Sequence, residues 1–262
     1  MRNLNRIWQG GLALLAFFIL WHFASTTGLF GRISPEYSLL LLPPPLVVFK
    51  AFAQMAWSGY LWDQVSVSLV RVLIGFALAA LIGVPLGIAM GLFPLANNLA
   101  EPFVRIFSPI PGVAWIPLAI LWYGLGDEAA IFIIAVSAVF PILLNTIQGV
   151  RDVDPNLVDA ARTMGATRWQ VIRRVTLPSV IPYLITGFRT GLSYSWRVVI
   201  TAEMVGVPKG IGYMLAVGRS TGHTEVTIVT MICLGLLMLI VEELVFAPLE
   251  KRTNSWRRVA TA

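Results

Sequence analysis

The feature that most constrains this chain is a run of 29 residues, Val72–Ala100, that holds no Asp, Glu, Lys or Arg. Three more runs share the property: Ile7–Gly31 is uncharged for 25 residues, Ile106–Gly126 for 21 and Ala129–Val150 for 22. A helix needs about 20 apolar residues to cross the hydrocarbon core of a bilayer, so each run holds one span. Ile181–Val205, interrupted by Arg189 and Arg197, supplies a fifth, and Val226–Ala247, with Glu242 and Glu243 near its end, a sixth. Composition agrees, because 57% of the 262 residues are hydrophobic and 12% charged, too few polar groups to coat a soluble domain of this size. The expectation is an all-α integral membrane protein, one domain over 1–262, with six transmembrane helices near 7–27, 67–92, 103–124, 129–149, 181–205 and 226–247. A soluble enzyme and a nucleic-acid-binding module are excluded.

Orientation follows from Lys and Arg, which cytoplasmic loops retain. With the amino terminus inside, twelve of the 19 fall on inner segments: Arg2, Arg6, Arg105, five between Arg151 and Arg174, and Lys251, Arg252, Arg257 and Arg258. The outer segments hold Arg32, Lys50, Lys209 and Arg219, while Arg71, Arg189 and Arg197 lie at membrane depth. This bias calls for an even number of spans with both termini cytoplasmic, and it accounts for the pI of 9.9 without nucleic acid. A cleaved signal peptide at Arg2–Leu20 is disfavoured, because the apolar stretch continues to Thr27 and cleavage leaves an odd number of spans. The outer segment from Gly28 is stopped at Pro43-Pro44-Pro45, after which Leu46–Trp57 reads as a short amphipathic helix at the outer interface. The lone Cys233 excludes a disulfide or cysteine cage within the chain, and His22 and His223 are too far apart to suggest a metal pair. No catalytic group and no metal site are expected.

The segment from Arg151 to Pro178 is too patterned to be a connector. Asp154 before Pro155 is an N-cap followed by proline at the first helical position. Leu157, Ala160, Ala161 and Met164 share one helical face, and Gly165 stops the helix. Thr167 and Gln170 then form a capping box, Trp169 and Ile172 mark an apolar side, and Pro178 follows. Physics leaves two readings open: insertion into a groove of a partner protein, or an amphipathic pair lying on the membrane surface.

Asp159-Ala160-Ala161, three residues, Gly165, nine residues and Val175-Thr176-Leu177-Pro178 resemble the EAA signature of bacterial ATP-binding-cassette (ABC) importer permeases, with Asp in place of Glu and Val in place of Ile. Further motifs, Ser68–Phe76, Pro109–Gly124, Ala202-Glu203-Met204 and Gly210-Ile211-Gly212, look like the nitrate, sulfonate and taurine branch, so the resemblance covers about residues 60–250. It implies a type I ABC importer permease in a bacterial cytoplasmic (inner) membrane, with Asp159, Ala160, Ala161, Met164, Gly165, Leu177 and Pro178 in an ATPase-docking coupling loop between the fourth and fifth spans. It also implies partners: two ABC ATPase subunits, a second permease copy in a homodimer, and an extracytoplasmic solute-binding protein. ATP and Mg belong to the partner ATPase, since none of the lysines here, Lys50, Lys209 and Lys251, follows a glycine as a phosphate-binding loop requires. An autonomous secondary transporter or channel is the rival, in which the motif from Asp159 to Pro178 has no purpose. An intramembrane enzyme lacks a catalytic pair.

Polar and irregular positions within the spans mark the candidate path. Arg71 and Glu203 both lie in the outer half, so an ion pair is geometrically available. They either fix helix packing or, for Arg71 or Arg197, line an anion pathway. Pro109, Pro111, Gly112 and Pro117 forbid an unbroken third span. Ser108–Trp115 is therefore either part of the translocation path or gate, or a proline-kinked packing helix. The glycine-rich Val205–Glu225 reads as a re-entrant or docking element, or as a flexible turn.

Overall fold

The computed structural model describes residues 2–27 and 41–250. Arg32 and the basic residues Lys251, Arg252, Arg257 and Arg258 lie outside the described residues. The described chain is helical, with no strand: α1 Arg2–Thr26, α2 Pro45–Trp57, α3 Tyr60–Leu92, α4 Pro94–Phe107, α5 Ile116–Tyr123 and α6 Asp127–Arg151 come first. There follow α7 Pro155–Thr163, α8 Arg168–Val171, α9 Leu177–Gly206, α10 Ile211–Ser220 and α11 Thr224–Val241. A 3-10 turn, Gly112–Trp115, leads into α5. A π-turn, Ile172–Thr176, joins α8 to α9, and a second, Glu242–Phe246, extends α11.

The central helix is α6, which packs along its length against α3 on one side and α9 on the other. The α3 contact is made by residues without side-chain bulk: Gly75, Ala79, Gly83, Gly87 and Gly91 recur at every fourth position and face α6. A Cβ at Gly75 would lie 2.6 Å from Ile134, and one at Gly87 2.6 Å from Thr146, so the backbones meet where a larger residue cannot fit. Without a hydrophobic drive between helices in lipid, such close approach is what holds spans together. On the other side Gly187 and Gly191 of α9 admit Asn145 and Ile142 of α6 in the same way. Ile134, Ala138, Ile142 and Leu143 are consequently almost wholly enclosed. Outside this trio, α10, α11 and α2 pack a second apolar cluster around Leu61, Trp196, Ile211, Met214 and Val229.

Three helices are long and apolar enough to cross a membrane: Tyr60–Leu92, Asp127–Arg151 and Thr224–Glu250. Two bent pairs raise the number to five if each is one span: Pro94–Phe107 with Gly112–Tyr123, bent by 89°, and Arg168–Gly206 with Ile211–Ser220, bent by 52°. In α1, Gly11–Thr26 is a further, shorter apolar stretch among the described residues. The six-span expectation thus meets three uninterrupted helices and two bent pairs among the described residues. The third span breaks where Pro109 and Pro111 remove backbone donors. Val205–Glu225 is not a flexible turn: it contains α10, whose Ile211 and Met214 are buried in the core.

Candidate functional site

The segment from Asp152 to Thr176 stands out from the bundle. Its stem is tied down by side chains, because Asp152 accepts from Gln148 at 2.8 Å and from the Tyr183 hydroxyl at 2.7 Å, while Arg151 donates to Asn97 of α4 at 2.7 Å. Asp154 caps α7 by accepting the Asn156 N–H at 2.9 Å. At the other end the Gly165 N–H reaches the Arg162 carbonyl and the Ala166 N–H the Ala161 carbonyl, a Schellman closure with Gly165 at φ +82°. Thr167 and Gln170 make the reciprocal capping box that opens α8. This double stop presents one short helix at the tip. Asp159, Ala160, Met164 and Gly165 are exposed on it, whereas Ala161 is buried. The face expected to carry Leu157, Ala160, Ala161 and Met164 together is therefore split, since Ala161 turns inward. Leu157, Met164 and Trp169 remain as large apolar groups in the open, Met164 at 83%. Leu177 is half-buried and Pro178 exposed at the start of α9.

A second constellation is enclosed except at Asp127. Gln64, Ser68 and Arg71 occupy one face of α3 and are all buried. The Arg71 guanidinium donates to Glu203 of α9 at 2.6 Å and to the Lys209 carbonyl at 2.7 Å. It also donates twice to Asp127 at the start of α6, at 2.9 and 2.6 Å. Glu203, 1% exposed, accepts in addition from Ser68 at 2.7 Å and from the Gly212 N–H at 2.9 Å. Ser68 accepts the Ile211 N–H at 2.8 Å and Gln64 the Gly210 N–H at 2.6 Å. The first amides of α10 are thus taken up by side chains of α3 and α9, and a carboxylate sits at the positive end of that helix. Gly210 at φ +120° is required there, because a Cβ would collide with the Glu203 carboxylate. Asp127, Ser68 and Gln64 were not singled out by sequence reasoning as partners of this pair. The spacing of Gln64, Ser68 and Arg71, four and three residues apart, is the signal that marks them as one helical face.

The third place is the bend between α4 and α5. Ser108, Pro109, Ile110, Pro111 and Gly112 wall a cavity of about 470 Å³ together with Ser137, Phe140 and Asn145 of α6 and Thr190 and Tyr194 of α9. Trp115 packs against Phe107 and Phe132, and its buried indole N–H has no acceptor among the described residues. Arg197 is exposed and stacks over Tyr194. The structure therefore joins Arg71 with Glu203 and places Arg197 apart from both. No group of three or more His, Cys, Asp or Glu that could hold a metal exists among the described residues.

Residues 83–253 match the family described as binding-protein-dependent transport system inner membrane component. A putative ABC transporter permease of Methanocaldococcus jannaschii is 38% identical over 75% of this chain and 74% of its own length. The taurine transport system permease protein of Escherichia coli is 31% identical over 84% of this chain and 81% of its own. A putative aliphatic sulfonates transport permease of Bacillus subtilis is 30% identical over 95% and 88%. Among solved structures, the inward-facing MetNI methionine ABC transporter shares the fold, with a TM-score of 0.62 and 23% identity over 77% of this chain and 97% of that one. By sequence and by fold the chain belongs to the binding-protein-dependent transport system inner membrane components, the permease subunits of ABC importers.

Proposed function

We propose that this chain forms, as a homodimer, the pathway of an importer driven by two separate ABC ATPase subunits, and that an extracytoplasmic solute-binding protein delivers a small anion to it. The relatives named for taurine and aliphatic sulfonates, with one named for nitrate import, support a sulfonate, taurine or nitrate as that anion. The observation that carries the reading is the exposed tip of α7, where Leu157 and Met164 project into solvent from a helix fixed at both ends by its caps. A short helix with an apolar face and fixed caps suits a groove in another protein. Docking involves Asp159, Ala160, Met164 and Gly165 directly, while Ala161, Leu177 and Pro178 set the angle at which the tip leaves the bundle. ATP and Mg reside in the partner subunits. Closure of the ATPase pair moves the tips and swings the spans from inward- to outward-facing, after which the binding protein releases its solute.

Both termini and the α7 loop lie on the cytoplasmic side of a bacterial inner membrane, with six spans once α1 is counted. The bend at Ser108, Pro109, Pro111 and Trp115 belongs to the path or gate, since irregular backbone at this depth is tolerated where a cavity satisfies it. Arg71 and Glu203 act as a helix clamp, supported by the saturation of both by protein partners.

The test is capture of a candidate ATPase by the tagged permease in detergent. Wild type retains it in equal amounts, while Met164→Asp and Gly165→Arg lose it without loss of the permease itself. A wild type that never retains an ATPase, with uptake persisting in ATP-depleted vesicles, overturns the importer reading in favour of a secondary transporter or channel.

A further inference from the structure

We propose that Arg197, held over the ring of Tyr194, is the residue that selects anions at the mouth of the mid-membrane cavity beside the α4–α5 bend. This rests on the reading of that cavity as part of the path. Three arginines lie at membrane depth, and two are neutralised: Arg71 by Glu203 and Asp127, and Arg189 by Glu242 and Glu250. Arg197 has no carboxylate at ion-pair distance among the described residues, and its recorded neighbour is the Tyr194 ring, 6.0 Å from guanidinium carbon to centroid. A cation–π contact orients the group without cancelling its charge. An arginine left charged at this depth faces a bundle interior or water rather than lipid.

Its surroundings say which. Thr190, Tyr194 and Arg197 follow one another on a single face of α9, and the first two line the cavity of about 470 Å³. Arg197 is six residues short of Glu203, roughly 9 Å deeper along the helix. Three other polar groups of the cavity each spend a hydrogen on their own helix. Ser137 donates to Ile133 at 2.7 Å, Thr190 to Thr186 at 2.9 Å and Asn145 to Pro141 at 2.8 Å. The Ser137 and Thr190 hydroxyls thus face the cavity as acceptors, while the Ser108 and Tyr194 hydroxyls and the second Asn145 amide hydrogen are donors without charge. Recognition of negative charge therefore falls to the guanidinium, whose planar fork matches two oxygens of a sulfonate, nitrate or carboxylate.

The experiment needs no knowledge of the solute. Cys233→Ala removes the single native thiol, and Thr190→Cys places a reporter in the cavity wall. The permease in liposomes is treated with 2-sulfonatoethyl methanethiosulfonate, an anion, and with its trimethylammonium counterpart, a cation. The ratio of anionic to cationic labelling rates is expected to fall about fourfold or more when Arg197→Gln is added, from loss of one unit charge roughly 10 Å away, and to be largely kept by Arg197→Lys. An unchanged ratio overturns the proposal, and so does a reporter that neither reagent reaches, which makes the cavity dry. Loss of dimer assembly in both Arg197 variants, with the Cys233→Ala parent intact, also overturns it by making Arg197 a packing residue. Labelling as expected in a permease that captures no ATPase leaves the anion selector standing and removes only the ATP-driven reading.

Discussion

Arg71, Glu203 and Asp127 share one guanidinium but do not contribute equally. Glu203 has a side chain with no exposed surface, whereas that of Asp127 is 66% exposed. Removing one member of a buried ion pair leaves an uncompensated charge and costs about 3–5 kcal/mol, while an exposed pair is worth about 1 kcal/mol or less. Arg71→Met is therefore expected to lower the thermal unfolding midpoint sharply and to reduce membrane yield, and Asp127→Asn to shift it slightly, both read by unfolding in one detergent. Adding Glu203→Gln to Arg71→Met recovers part of the loss, because the stranded carboxylate is removed. Equal shifts for Arg71→Met and Asp127→Asn refute the clamp. The pairing of Arg71 with Glu203 was legible in the sequence as two opposite charges at similar depth. The Gly210 and Gly212 amides and the Lys209 carbonyl were not, because backbone groups leave no mark in a residue pattern.

Among the elements, the small-residue ladder on α3 sets how closely that helix approaches α6. Gly87→Leu places a side chain whose first carbon lies 2.9 Å from the Leu143 carbonyl oxygen, a backbone atom that cannot yield. Overpacking of this kind costs about 1–3 kcal/mol, so the variant is expected to unfold earlier, while Leu81→Ala, at a 72% exposed position, leaves the midpoint nearly unchanged. Gly165 has nothing within 4 Å of a would-be Cβ, so its constraint is the left-handed φ alone. Gly165→Ala consequently costs about 1–2 kcal/mol of local loop order and little of bundle stability. Weakened ATPase capture with an unchanged unfolding midpoint is the expected pair of results. The stops of α7 and α8 and the broken third span could be read from Asp154, Gly165, Thr167 and the prolines because those devices are local. The ladder at Gly75, Ala79, Gly83, Gly87 and Gly91 was equally visible, yet within an uncharged run it reads only as apolar. Helix α10 was unreadable for the opposite reason: its glycines favour a turn, and it is helical because side chains from α3 and α9, far off in sequence, take up its first amides.

At the scale of the whole molecule, the outside of the described bundle is apolar. Only 22% of the most apolar window of Thr224–Glu250 and 28% of that of Tyr60–Leu92 is buried within the chain, against 44% for Asp127–Arg151. Exposed leucines, isoleucines and phenylalanines on α1, α3 and α11 require lipid or a second copy as solvent. Which side of the membrane each loop faces is then the property on which docking depends, and the Lys and Arg distribution makes an expectation of it that labelling tests. Helix α2 carries Trp57 at 96% exposure and leads to Trp62, aromatic groups suited to headgroup depth. In a Cys233→Ala background, Ser58→Cys and Thr221→Cys are expected to react with a membrane-impermeant maleimide added to intact spheroplasts. Thr163→Cys, at the end of α7, is expected to react only after the membrane is opened. The bent pairs make this more than a check of orientation, since α4 with α5 reaches the far side only if the 89° break still carries the chain across. If that pair is re-entrant, Asp127 and Arg105 share a face of the membrane. Gly126→Cys and Asn98→Cys then label from the same side, whereas a crossing separates them, Gly126→Cys reacting in intact cells and Asn98→Cys only in opened ones. Separation is the outcome that keeps Arg71 with Asp127 at the outer end and the α7 tip at the inner one, the arrangement in which an ATPase can act on the cavity from below while a binding protein fills it from above.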